Sequence, residues 1–193
     1  MIIILNAPPG AGKDTIQLSI ADLHEVSQLS FKKPMFAMAK AMLGDLGFAE
    51  FMSAYNNRKR KDKPMELLNG LSPRNFMIWL SEDVIKPQFG DKHFGNLLYD
   101  DYIMHENDGY YVGVVSDGGF DSETIALIET GVPVRLFRLH REGFTFAGDS
   151  RDYVNLPLYA NSETYDYKEF DVQLQEGLPV VAALDILSMV GLK

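Results

Sequence analysis

Apolar residues in this chain fall into short unbroken runs separated by stretches of helical periodicity, the pattern of buried strands alternating with helices. Met1-Ile2-Ile3-Ile4-Leu5 is apolar up to Asn6 and predicts a buried parallel strand over 1–6. Residues 14–26 place Ile16, Ile20 and Leu23 on one face and predict the first helix. Leu29–Phe31 is a candidate second strand, followed by Lys32-Lys33-Pro34. Met35, Met38, Ala39, Met42 and Leu46 then predict a helix over 35–46 that Gly47 ends. Ser72-Pro73 sets an N-cap serine before a first-position proline and predicts a helix over about 73–85. Residues 88–109 are polar and mixed, with short helical pieces. Tyr111–Ser116 is a second apolar run that ends in Asp117; Ser122–Thr130 reads as a helix closed by Gly131, and Val132–Leu139 as a third strand. Residues 140–165 lack periodicity and are rich in Gly, Asp, Ser, Asn and Tyr, a long loop or lid. Phe170–Leu174 is a short last strand and Pro179–Val190 a closing helix. The alternation predicts an α/β fold, a parallel sheet with helices on both faces.

The loop after the first strand changes this picture from a fold class to a chemistry. Ala7-Pro8-Pro9-Gly10-Ala11-Gly12-Lys13-Asp14-Thr15 is a Walker A phosphate loop with two departures: Ala7 replaces the first glycine, and Asp14 replaces the hydroxyl residue after the lysine. Small residues let successive backbone N–H groups turn inward around a phosphate, and a lysine adds a point charge at the outer phosphates. The competing reading is an ordinary glycine turn, but glycine density, Gly12-Lys13 and the strand and helix on either side favour a nucleoside triphosphate site. Gly10, Ala11, Gly12, Lys13, Asp14 and Thr15 are the expected nucleotide contacts, with the N–H groups of 10–15 around the β-phosphate and Lys13 between β and γ. Asp14 is expected to bind Mg²⁺ or to cap the helix, with Thr15 able to supply the hydroxyl. The fold expectation sharpens to a three-layer P-loop NTPase domain over 1–193, with a helical acceptor-binding insertion at about 33–100 and a lid at about 140–165.

Composition narrows the partners. The 193 residues carry a net charge of −9, which argues against a broad grip on a nucleic-acid polymer but leaves room for small phosphorylated ligands in a local basic pocket. There is no cysteine, so disulfide and thiolate chemistry are excluded. The four histidines lack metal-ligand spacing, and no apolar run approaches the roughly 20 residues of a membrane span. The N-terminus lacks the basic region of a signal peptide, so a cytoplasmic location is expected.

Val112-Gly113-Val114-Val115-Ser116-Asp117 resembles a strand ending in a metal-directing aspartate, which makes Asp117 a second candidate Mg²⁺ residue; many buried strands end in a turn aspartate for structural reasons alone. The run Arg58-Lys59-Arg60-Lys61-Asp62-Lys63-Pro64 reads first as a solvated loop, with a place near the phosphate mouth as the sharper alternative. Arg74 and Trp79 are an arginine for an acceptor phosphate and a ring to stack a base, or else a surface arginine and a core tryptophan. Arg138, Arg141 and Arg151 flank the predicted lid. A lid needs arginines that neutralise a transferring phosphoryl group; the plainer reading is salt bridging to nearby acids.

Two family resemblances follow from these residues. The phosphate loop is similar to that of adenylate kinases, G-x-P-G-x-G-K-G-T, apart from Ala7 and Asp14, but the chain lacks that family's substrate motifs. It more closely resembles the bacteriophage deoxynucleoside monophosphate kinase family, on Gly12-Lys13-Asp14-Thr15, Phe31-Lys32-Lys33-Pro34, Ser72-Pro73-Arg74, Phe89-Gly90-Asp91 and Asp117-Gly118-Gly119-Phe120-Asp121-Ser122-Glu123. The last departs from D-x-R-F-x-x-E by placing Gly119 where the family has arginine. This resemblance implies transfer of the γ-phosphoryl of ATP to a deoxynucleoside monophosphate, with Mg²⁺ as cofactor and a homodimeric viral enzyme in the host cytoplasm. Taken with the residue readings above, the expected catalytic residues are Lys13, Arg138 and Arg141, the expected substrate contacts Lys33, Arg74, Trp79, Asp117, Phe120 and Arg151, and the expected metal residues Asp14 and Asp117. The alternatives are a P-loop kinase of another small or modified-base acceptor, and a nucleotide-binding regulator without catalysis.

Overall fold

The computed structural model describes residues 1–149 and 151–192, so Ser150, inside the expected lid, lies outside the described residues. The chain divides into two compact units, one of residues 1–31 and 94–193 and one of residues 32–93.

The first unit is built on five parallel strands in the order β2-β3-β1-β4-β5: β1 (Ile2–Asn6), β2 (Ser27–Leu29), β3 (Gly113–Val115), β4 (Val134–His140) and β5 (Tyr167–Gln173). β1 is central and buried on both faces, which is why its sequence is solid rather than alternating. Its odd residues Ile3 and Leu5 enter a cluster with Ile16 and Ile20 of α1 (Lys13–Leu23) and Ala183, Ile186 and Leu187 of α7 (Pro179–Met189). The opposite face carries α5 (His93–Asn107) and α6 (Asp121–Glu129). These two helices meet so closely at Gly95 that a Cβ there would stand 2.5 Å from the Ala126 Cβ and 2.6 Å from the Glu123 carbonyl oxygen. The result is the P-loop NTPase α/β fold, a parallel sheet between two helical layers.

Strand bounds differ from expectation by one to three residues: β5 begins three residues early, and β2, shifted by two, ends where Leu29–Phe31 is predicted to begin. The mixed region 88–109 corrects more: it contains the 15-residue helix α5. Its buried residues Phe94, Leu98 and Tyr102 recur every fourth position, but five acidic or amide residues along the helix dilute the pattern.

The second unit is helical. α2 (Lys33–Tyr55) runs past the predicted stop at Gly47 and is instead kinked at Gly44, whose φ of 69° and ψ of 173° are not helical. Gly47 keeps helical geometry, and a Cβ there would lie 3.4 Å from Leu67 Cδ1. A single 3₁₀ turn (Glu66–Leu68) precedes α3 (Pro73–Trp79), where Ser72 accepts a hydrogen bond from the Asn75 N–H as its N-cap. A wide π-helical turn over Leu80–Ile85 leads into α4 (Lys86–Phe89). The unit's core is aromatic: Phe51 packs on Phe48, Tyr55 and Phe76, and Phe76 on Trp79.

Candidate active site

The link from β1 to α1 is the site's foundation. Gly10 and Gly12 hold φ values of 81° and 109°, in the left-handed region, which a side chain would strain. Gly12 is the N-cap of α1 and offers no side chain, so the N–H groups of the first turn point outward with no carbonyl of their own helix to meet. The helix dipole adds partial positive charge at the same spot. Lys13, only 6% exposed, curls back over the loop with its ammonium 3.5 Å from the Pro8 carbonyl oxygen. Asp14 and Thr15 are exposed at the start of the helix. The arrangement is a cationic cup that suits a polyphosphate.

A cavity of about 210 Å³ opens beside the cup. Ala11, Gly12, Thr15 and Ile16 form one wall, Leu174, Leu178, Pro179 and Ala182 the apolar opposite wall, and Arg141 crosses it. One guanidinium nitrogen of Arg141 lies 3.5 Å from the Ala11 carbonyl oxygen, another donates to Glu176 at 2.9 Å, and the group lies over the Phe144 ring. An apolar slot with a planar cation across it, adjoining a phosphate cup, suits a base with a phosphate chain. The 174–179 turn has no sequence signal beyond following a strand.

Arg138, three residues before Arg141, is engaged differently. It donates to both Asp171 oxygens at 3.1 and 2.9 Å, to Glu169 at 2.8 Å and to the Val154 carbonyl at 3.2 Å. Glu169 also accepts from the Leu156 N–H and the Tyr167 hydroxyl. The hydrogen bonds that Arg138 donates to Asp171 raise the Arg138 pKa further, and the same bonds, with another to His140, hold Asp171 down at about 2. Burial, then the Glu169 carboxylate beside it, pushes the Tyr167 hydroxyl up. This network fastens residues 154–156, the returning end of the expected lid, to the sheet.

Asn6 does the same from β1. Fully buried, it donates to the Asp152 carbonyl and accepts from the Val154 N–H. It is the one polar residue in its strand, and that position is the signal by which it could have been found. Arg151 pairs with Asp149 through two hydrogen bonds, and its stem covers Gly119, where an added Cβ would lie 2.9 Å from the Arg151 Cβ. The glycine at 119 is thus occupied space: Arg151 stands where a longer side chain would have to go.

Asp117 accepts from the Ser30 hydroxyl at 2.6 Å and from the Phe31 N–H at 3.0 Å, holding the turn after β2. Its neighbour Ser116 faces the phosphate loop instead. The Ser116 Oγ lies 2.8 Å from Asp14 Oδ1 and 2.7 Å from Gln17 Oε1. Gln17 shares a face of α1 with Asp14, three residues away, and neither it nor Ser116 was singled out by the sequence. Phe120 is the N-cap of α6, partly exposed. In the second unit, Lys33 is exposed at the start of α2, Arg74 is paired with Asp62 at 2.6 Å, and Trp79 is half-buried against Phe76.

No family model matches the chain, and no curated protein matches it. Among solved structures it is similar to a sugar kinase from Janibacter sp. HTCC2649, at 13% identity and a TM-score of 0.50 over 98% of this chain and 93% of that one. It is also similar to the tunicamycin resistance protein of Deinococcus radiodurans, at 14% identity and a TM-score of 0.46 over 100% and 96% of the two chains. A dephospho-CoA kinase from Campylobacter jejuni gives 10% identity and a TM-score of 0.46 over 98% and 96%. At these identities the likeness speaks to fold alone. No helix among the described residues is long and apolar enough to cross a membrane.

Proposed function

We propose that the chain is a P-loop kinase that transfers the γ-phosphoryl of ATP to the phosphate of a nucleoside monophosphate, with a deoxynucleotide as the favoured acceptor. The observation that carries the phosphotransferase reading is the open first turn of α1, with buried Lys13 folded over it and a base-sized slot alongside. That the sugar kinase of similar fold is itself a phosphotransferase agrees with this. The acceptor class rests on the resemblance of the motifs from Gly12-Lys13-Asp14-Thr15 to Asp117–Glu123.

In this reading, catalysis is positioning and charge stabilisation, and no covalent enzyme intermediate is required. The α1 N–H groups and Lys13 hold the β- and γ-phosphates, and Lys13 follows charge onto the transferred group. Arg141 lies across the donor slot and is the arginine best placed to neutralise charge at its phosphate end. In the helical unit Lys33 and Arg74 are the candidates for the acceptor phosphate and Trp79 for its base; in the sheet unit Phe120 and Arg151 are the further substrate candidates. Mg²⁺ fits the residues present. Asp14 is an exposed carboxylate at the first turn with a hydroxyl 2.8 Å away, and this ion takes one or two carboxylates alongside phosphate oxygens. When bound, it would neutralise the β- and γ-phosphate charge. The protein then acts in the cytoplasm on small nucleotides.

The test is ADP release from Mg-ATP across every deoxynucleoside and ribonucleoside monophosphate, with sugars as hydroxyl acceptors and Lys13→Ala as control. Turnover with one or a few monophosphates, lost in the variant, establishes the reading. Turnover only with a hydroxyl acceptor replaces the acceptor class, and nucleotide binding without any turnover replaces the kinase with a regulator.

A further inference from the structure

P-loop nucleotide enzymes usually hold their divalent cation between a hydroxyl, on the residue after the loop lysine, and a carboxylate at the end of a neighbouring strand. In this chain the two groups have changed places. The residue after Lys13 is Asp14, and the side chain that reaches it from the end of β3 is Ser116. We propose that the cation site is this transposed pair, with Asp14 supplying the carboxylate, Ser116 the hydroxyl, and Gln17 aiming the hydroxyl. The inference rests on the reading of the chain as an enzyme of Mg-ATP.

Proton counting supports it. Asp14 Oδ1, Ser116 Oγ and Gln17 Oε1 converge, with Ser116 2.8 and 2.7 Å from the other two. The hydroxyl has one proton and can satisfy only one of them. The amide of Gln17 cannot turn over to help. Its Nε2 donates to the Val114 carbonyl at 2.7 Å and to the Leu29 carbonyl at 3.3 Å, and a flip would bring Oε1 against both carbonyls. Three hard oxygens therefore share a single proton at the mouth of a polyphosphate cup. If the proton goes to Gln17, the Ser116 lone pairs and the exposed Asp14 carboxylate are both left to accept. A hard cation resolves that shortage, and carboxylate plus hydroxyl is a donor set it accepts.

Asp117, the residue a strand-end pattern singles out, is already engaged in hydrogen bonds. Its two oxygens accept from Ser30 and from the Phe31 N–H, in the turn after β2. Ser116 is 6% exposed and rigidly held, so its hydroxyl is already aimed before any ligand arrives.

The experiment titrates Mn²⁺ into the full chain with a non-hydrolysable ATP analogue and follows bound Mn²⁺ by its electron paramagnetic resonance. Analogue binding in EDTA and the thermal melt are measured in parallel. Ser116→Ala is expected to weaken Mn²⁺ by roughly 10-fold and Asp14→Asn by up to about 100-fold, with analogue binding in EDTA kept. The double variant Asp14→Ser with Ser116→Asp, which restores the usual order, is expected to recover Mn²⁺ to within about threefold. Ser116→Cys offers an independent reading in a chain with no other cysteine: Mn²⁺ weakens and Cd²⁺, which prefers sulfur, tightens. Unchanged Mn²⁺ affinity in Ser116→Ala, together with a tenfold loss in Asp117→Asn, overturns the transposition and leaves the nucleotide site standing. A wild-type chain that binds no adenine nucleotide overturns both.

Discussion

Arg138 and Arg141 leave the same strand end three residues apart, yet they belong to different kinds of structure. Arg138 is enclosed by two carboxylates and a carbonyl, and Glu169, one of the two, is only 10% exposed. Among the described residues Arg141 has one carboxylate partner, Glu176, which is 88% exposed, and a long contact to the phosphate loop. A cation matched by buried charge is fixed by the fold and is costly to remove. A cation held by an exposed partner can exchange that partner for a ligand at little cost, because solvent already screens the pair. The difference separates an arginine that builds the lid's root from one that is available to phosphate.

The comparison breaks most directly at Arg138. Arg138→Ala leaves Glu169 buried without its guanidinium, and the expected loss is about 3–5 kcal/mol of unfolding free energy in a urea titration. Arg138→Met, which fills volume without charge, should lose as much unless Glu169→Gln accompanies it, when a substantial part returns. If Arg138→Ala is within 1 kcal/mol of wild type yet inactive, the two arginines have been assigned the wrong way round.

Arg141→Ala should do the reverse. Loss of a cation that acts on the transferring group is expected to lower kcat roughly 100-fold, equivalent to about 2.7 kcal/mol of barrier. Its denaturation midpoint should move little, since Glu176 stays in water. A large loss of stability, or an effect confined to KM, would place Arg141 in the scaffold or in donor binding alone.

Asn6 sharpens the same contrast from the other side of the lid's return. Asn6→Ala removes the acceptor of the buried Val154 N–H, at an expected cost of about 1–3 kcal/mol. Because Asp152 and Val154 flank Tyr153, limited proteolysis of 141–156 should accelerate by more than the global loss explains. Cleavage at the wild-type rate would mean that the Arg138 network holds this segment without Asn6.

What the sequence made legible divides along physical lines. β1, the phosphate loop and α1 were readable because burial on both faces and the demand for left-handed glycines write themselves into residue type. The fold class followed from the alternation of runs. α5 escaped because its apolar face is one residue wide, and Gly47 reads as the end of a helix that in fact continues and kinks at Gly44, because composition cannot tell a helical glycine from one at positive φ. The candidate site was legible where a motif is local, as in 10–15. It was not legible where the partner comes from 100 residues away. Nothing in Ser116 or Gln17 announces that they meet Asp14, and nothing in Arg138 announces that Glu169 and Asp171 surround it on the next strand.

The smallest effect tests the electrostatics of the lid's root. Asp171 titrates at about 2 in the folded chain against 3.8 ordinarily, with the Arg138 hydrogen bonds as the leading cause and His140 second. A carboxylate depressed on folding contributes stability above its unfolded pKa. As pH falls from about 4 towards 2, the unfolded chain takes up the proton first and that contribution is lost. Asp171 is 55% exposed, so solvent screening holds the effect below about 1 kcal/mol. Asp171→Asn should therefore flatten the stability profile between pH 4 and 2 by a small, measurable amount and leave the profile above pH 5 parallel to wild type. The same substitution in an Arg138→Met background should flatten it less, because the guanidinium that is the leading cause of the depression is gone and only His140 remains. Equal flattening in both backgrounds would trace the depression to His140 and detach Asp171 from the enclosure that distinguishes Arg138 from Arg141.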